Sequence, residues 1–188
     1  MASQTSRLGH ALLGLLSQQP ASGYGIRRLF TDTPMQAFSD SPGAIYPALR
    51  RLEAAGLIRG RVESSSGLRR RQVFRLTAAG TSALKEWLRR PVTHEEVVGD
   101  VDGLMLRFAF MDQTIGEAAA VRFLEALRRE LQAHAPALRQ YLRAHRTGMS
   151  RSGRLALESG IRSYEALLVW CRDAIREYEG KDRGGSNP

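Results

Sequence analysis

Apolar residues recur at helical spacing along most of this chain, but between residues 57 and 77 they change to period two. There Ile58 and Val62, then Phe74 and Leu76, fall at even spacing, with Arg59, Arg61 and Arg75 on alternate positions. Period two marks paired strands, so two strands are predicted over 57–64 and 71–77. Ser64-Ser65-Ser66-Gly67 supplies a flexible turn between them, and Arg69-Arg70-Arg71 lies at its far edge. The predicted fold class is mainly α with a small β-hairpin.

Three helices precede the hairpin. Leu8, Ala11, Leu12, Leu15 and Leu16 predict a first helix over about 6–17. Ser22 is the expected N-cap of a second, with Ile26, Leu29 and Phe30 inward and Arg27 and Arg28 outward. Ser41-Pro42 predicts the start of a third, because proline at the first helical position loses no hydrogen bond. Ile45, Ala48, Leu49 and Leu52 share one face of that helix; Tyr46, Arg50 and Arg51 lie on another, and Gly56 ends it. Pro47 predicts a slight bend in its second turn. After the hairpin, Thr77 caps a fourth helix holding Leu84, Trp87 and Leu88.

Residues 91–100 read as a polar linker, and the remainder as helix. Leu104 to Met111 is densely apolar, and Thr114-Ile115-Gly116-Glu117 has the form of a capping box opening a long helix that Pro136 should kink. A last long helix is expected over 152–179, then a disordered tail over 180–188. The expected domains are therefore 1–90 and 101–179.

Charge separates the same two parts. Residues 1–90 carry 14 Lys and Arg against 5 Asp and Glu, whereas residues 91–188 carry 14 of each. The whole net charge of +9 thus resides in the first half, as a module for binding a polyanion requires. Three helices followed by a basic hairpin is the layout of a winged helix-turn-helix. Its third helix enters the major groove, where side chains reach base edges, while arginines neutralise flanking phosphates.

The stretches LGHALLGLL, SGYGIRRLF, SPGAIYPALRRLEAAGLI and RQVFRLTAAG, in this order from Leu8 onward, resemble the PadR-like transcriptional regulators. DGLMLRFAFMD and SGIRSYEALLVW are similar to the helical C-terminal domain of the virulence-activator subgroup. The resemblance implies a cytoplasmic homodimer that binds double-stranded DNA at an inverted-repeat operator, most often as a repressor released by a small ligand or another signal. It implies DNA-contacting roles for Tyr24, Ser41, Gly43, Ile45, Tyr46 and Arg50, and for Arg69, Arg70 and Arg71 at the wing tip; Arg51 joins them from the exposed face of the third helix. Two assignments stay open. Helical phase puts Ile45 in the core while the family pattern puts it near DNA, and Tyr46 is either a groove contact or a half-buried helix residue.

Enzyme constellations do not assemble. His10, His94, His134 and His145 lack metal-ligand spacing, and the lone Cys171 supplies neither a zinc site nor a disulfide. Asp100 and Asp102 beside Gly103 lack the other ligands of a calcium loop, and no glycine-rich phosphate loop is present. No cofactor is expected. No apolar run approaches the roughly 20 residues of a membrane span, and the first residues lack the basic region and cleavage site of a signal peptide. Trp87 and Trp170 belong either to core or dimer interface or to an effector pocket of unknown occupant. Two rival functions carry the same charge pattern: a basic protein that coats DNA or RNA without sequence preference, and a ligand-sequestering helical protein whose winged helix serves protein contacts.

Overall fold

The computed structural model describes residues 5–32, 42–64 and 70–184. Contacts cluster in two compact units, 1–90 and 91–188.

In the first unit, α1 (Arg7–Gln18) starts where the Ser6 hydroxyl accepts the Gly9 N–H at 3.2 Å. A two-residue strand, β1 (Ala21–Ser22), precedes α2 (Gly23–Asp32), whose first turn is capped by Ser22 accepting from the Gly25 N–H at 3.1 Å. A 3-10 turn (Pro42–Ala44) leads into α3 (Ile45–Ala54). Pro47 is therefore the third residue of α3. Its missing N–H falls among donors that no helix satisfies, so the expected source of a bend is removed.

Gly56 ends α3 at a φ of +69°, while the Leu57 N–H returns to the Leu52 carbonyl at 2.9 Å. The chain then forms β2 (Ile58–Ser64), β3 (Arg70–Leu76) and α4 (Ala78–Leu88). The three strands form an antiparallel sheet in the order β1-β3-β2. Thr77 joins the base of the hairpin to α4: its hydroxyl donates to the Gly56 carbonyl at 2.7 Å and accepts the Gly80 N–H at 3.0 Å. A Cβ on Gly80 would stand 1.9 Å from the Leu57 carbonyl oxygen, so only glycine lets α4 lie this close to the hairpin.

Leu12, Leu13, Ile26, Phe30, Ile45, Leu49, Ile58, Phe74, Leu84 and Leu88 make the core. Each buried Leu, Ile or Phe contributes about 1.5–3 kcal/mol. Two expectations of burial are corrected: Leu29 is exposed, and so is Val62, which lies further along the hairpin than Ile58.

His10 and Trp87 stack with ring centroids 4.4 Å apart, tying α1 to α4. Burial and the nearby Arg90 charge hold the imidazole down at about 4, against the opposing pull of a hydrogen bond to the Ser6 backbone. The unfolded chain takes up this proton near pH 6.5 and the folded one near pH 4. Stability from this group is complete above about pH 6.5 and lost as pH falls through about 4. After discounting for partial exposure the loss is about 1–2 kcal/mol. Thermal melts at pH 7 and pH 5 test it: His10→Phe, which can stack but not titrate, should melt with a weaker pH dependence than the parent. Equal dependence in both proteins refutes the assignment.

The second unit begins with a helix inside the segment expected to be a linker. In α5 (His94–Gly99) the Thr93 hydroxyl accepts the Glu96 N–H at 3.3 Å and the Glu96 carboxylate accepts the Thr93 N–H at 3.1 Å, a full capping box. The apolar segment after it splits into α6 (Val101–Phe108) and α7 (Met111–Ile115). Asp100 accepts the Gly103 N–H at 3.0 Å, so it caps α6. Gly116, at a φ of +90°, then opens α8 (Glu117–His145) with no side-chain cap. The capping box expected at Thr114–Glu117 does not form, because Thr114 belongs to α7.

α8 runs through Pro136, and a 3-10 turn (Arg146–Gly148) joins it to α9 (Arg151–Gly184). Helix thus continues past residue 179, where the tail was expected to begin. Phe108 packs near Phe123, Trp170 and Tyr178, with centroids 5.5–6.5 Å apart. Arg107 is 1% exposed; it donates to Glu96 at 3.3 Å and lies 5.0 Å from the Phe123 ring centroid. Cys171 is fully buried, and burial raises its thiol to about 11 against the pull of Arg128, so it is a packing residue. No described helix is long and apolar enough to cross a membrane.

Candidate nucleic-acid interface

α3 divides cleanly by face. Ile45, Ala48, Leu49 and Leu52 are at most 5% exposed and press into the core, whereas Tyr46, Arg50 and Arg51 stand in solvent. Tyr46 and Arg50 are one turn apart and therefore project from the same side. Gly43 lies on the same approach, exposed in the 3-10 turn before α3.

The start of α2 reaches this surface. A Cβ on Gly23 would meet Tyr46 Cε1 at 2.8 Å, so the tyrosine ring lies directly over a backbone that has no side chain. Tyr24, the next residue, is 63% exposed. Sequence reasoning carried Tyr24 and Tyr46 separately and missed Gly23, whose importance comes from packing and has no periodic signal.

Phase decides the case of Ile45. It is 0% exposed, so it holds α3 to the core and presents nothing to a groove. Tyr46, at 42% exposed, is available to a ligand while resting on Gly23.

On the hairpin, Arg71 is exposed and stands opposite Glu63 in register, and Arg70 opens β3 opposite Ser64. Ser41 and Arg69 lie outside the described residues. The surface therefore gathers hydrogen-bonding groups on one helix face and arginines on a hairpin, beside a core that keeps both in place. Such an array can read base edges and neutralise phosphates.

The chain is similar to known proteins along most of its length. Residues 12–86 match the sequence model of the transcriptional regulator PadR-like family, and residues 102–179 match that of the virulence activator alpha C-terminal region. The negative transcriptional regulator PadR of Bacillus subtilis (strain 168) is 30% identical over 123 residues, which span 65% of this chain and 66% of that protein. Among solved structures, a PadR-like transcriptional regulator from Bacillus cereus is 27% identical, with 92% of this chain and 99% of that one covered and a TM-score of 0.40. Bacillus subtilis PadR in complex with operator DNA is 24% identical, with 91% and 98% covered and a TM-score of 0.44. The chain, a winged helix-turn-helix followed by a helical region of the virulence-activator type, belongs to the PadR-like family of transcriptional regulators, which are not enzymes.

Proposed function

We propose that this protein is a cytoplasmic repressor that binds an inverted-repeat operator in double-stranded DNA as a homodimer and leaves it in response to a ligand or signal. The observation that carries the reading is the two-faced α3, apolar inward and Tyr46, Arg50 and Arg51 outward, in the half of the chain that holds all the net charge. Tyr24, Gly43, Tyr46, Arg50 and Arg51 serve the groove, and Ser41, Arg69, Arg70 and Arg71 serve the flanking phosphates.

Dimerisation is assigned to the second unit. Its helices expose Tyr141, Leu155, Val169 and Trp170, and it has no net charge to repel its copy. A two-fold axis would set the two α3 helices about 34 Å apart, one turn of DNA, and so favour a palindromic site. For the effector, α8 and α9 offer a cavity of about 370 Å³ whose lining includes Pro136, Leu168 and Val169 together with Arg139, Glu165 and Arg172. Its size is that of a small-molecule site.

The test is retention of a selected genomic fragment under excess competitor DNA. Survival of the complex supports an operator-reading regulator; complete titration by competitor supports a coating protein instead. Truncation after Arg90 should leave a monomeric winged helix that binds DNA weakly and loses most of its site preference. Joining two half-site readers raises the effective concentration of the second into roughly the millimolar range. Sedimentation at micromolar concentration decides: a full-length monomer, or a truncated protein that still dimerises, refutes the assignment of the interface.

A further inference from the structure

The hairpin carries a second basic surface, away from its tip. In the β2–β3 register Arg59 stands opposite Arg75, Arg61 opposite Val73, and Glu63 opposite Arg71. Alternation places all six on one face of the sheet, the face opposite Ile58 and Phe74. Four exposed arginines therefore share a face with one carboxylate. Glu63 pairs with Arg75 at 3.3 Å, and no carboxylate among the described residues lies within ion-pair distance of Arg59 or Arg61. Like charges directly across a strand pair destabilise a sheet, and in the Arg59–Arg75 pair Glu63 offsets the charge of Arg75 alone.

The same arginines line a cavity of about 570 Å³ that continues along Leu76, Thr77 and Ala78 at the base of the hairpin. One guanidinium fork satisfies a single carboxylate. Three converging on one cavity match an anion with more oxygens and more than one charge, and planar forks suit phosphate. We propose that Arg59, Arg61 and Arg75 form a phosphate-binding site on the face of the wing opposite Ile58 and Phe74, nearer the base of the hairpin than Arg71. The phosphate comes either from the duplex backbone or from a free phosphorylated small molecule. Only the first source rests on the DNA-binding reading above.

Two titrations of the full-length protein test the site, each comparing the parent with the double variant Arg59→Gln/Arg75→Gln and with the charge-preserving Arg59→Lys/Arg75→Lys. In the first, sodium pyrophosphate is added to DNA-free protein while the arginine side-chain N–H signals are followed by NMR. A saturable shift in the parent that the glutamine variant lacks supports a free phosphate ligand. In the second, binding to a mixed-sequence duplex is measured against salt. A log–log slope shallower by about one to two per protomer in the glutamine variant, and restored by lysine, supports contact with the duplex backbone. Melting temperatures of all three proteins confirm that the variants fold; should the glutamine pair unfold, the parent's pyrophosphate shifts at Arg59 and Arg75 decide alone. No saturable pyrophosphate shift in the parent, together with equal salt slopes in folded variants, overturns the site. Loss of site preference in the parent would instead overturn the regulator reading and leave the pyrophosphate result standing.

Discussion

Raising salt from about 50 to about 200 mM should weaken DNA binding by a factor on the order of a thousand or more. The magnitude follows from where the charge is. The first 90 residues hold the entire +9, so the proposed homodimer would bring two such units to the duplex. If about six to ten phosphates are neutralised per dimer, each releases close to one counterion, and affinity falls as that power of the salt concentration. Arg50, Arg51 and Arg71 are all exposed and able to take part. The measurement is a series of binding isotherms at fixed pH across that range. A log–log slope near zero would remove the electrostatic account and with it the role given to the basic half.

The second large effect separates the two faces of α3. Leu49 and Leu52 are 1% and 5% exposed, so Leu49→Ala and Leu52→Ala should each destabilise by about 2–5 kcal/mol. In a unit of this size that lowers the melting temperature by roughly 10 °C or more. Arg50→Ala removes exposed atoms and should leave melting nearly unchanged; Tyr46→Ala also gives up the contact with Gly23 and should lower melting slightly, far less than the core substitutions, and both should weaken operator binding. Thermal melts and binding isotherms on the same four variants give the answer. An Arg50 variant that unfolds, beside a silent Leu49→Ala, would invert the orientation of the helix.

The periodic part of the fold was legible in the sequence. The hairpin, the Ser22 and Thr77 caps, the stop at Gly56 and the inward phase of Ile45, Ala48, Leu49 and Leu52 all follow from local chemistry. What was not legible depends on partners distant in sequence. β1 is two residues long and exists because β3 lies beside it. Arg107 reads as a surface charge in an apolar run, yet Glu96 and the Phe123 ring receive it in the interior. Thr93 and Glu96 fit the capping-box pattern as well as Thr114 and Glu117 do. The second pair fails because Thr114 lies inside α7, which leaves Gly116 as the N-cap of α8. In the candidate interface the arginines and Tyr46 could be named from phase and motif, whereas Gly23 and the arginine face of the wing required the packing and the register.

The contact between Tyr46 and Gly23 bears on the thermodynamics of recognition. A long aromatic side chain on an open surface samples several rotamers, and a partner that selects one of them opposes binding by about 0.5–1.5 kcal/mol. Tyr46 rests against the backbone of α2 before any DNA arrives, so much of that ordering has already taken place during folding. A methyl group at Gly23 would push the ring aside and return the ordering to the binding step. With Tyr46 in the groove as proposed, the residue with no side chain would govern the entropy of association through a neighbour.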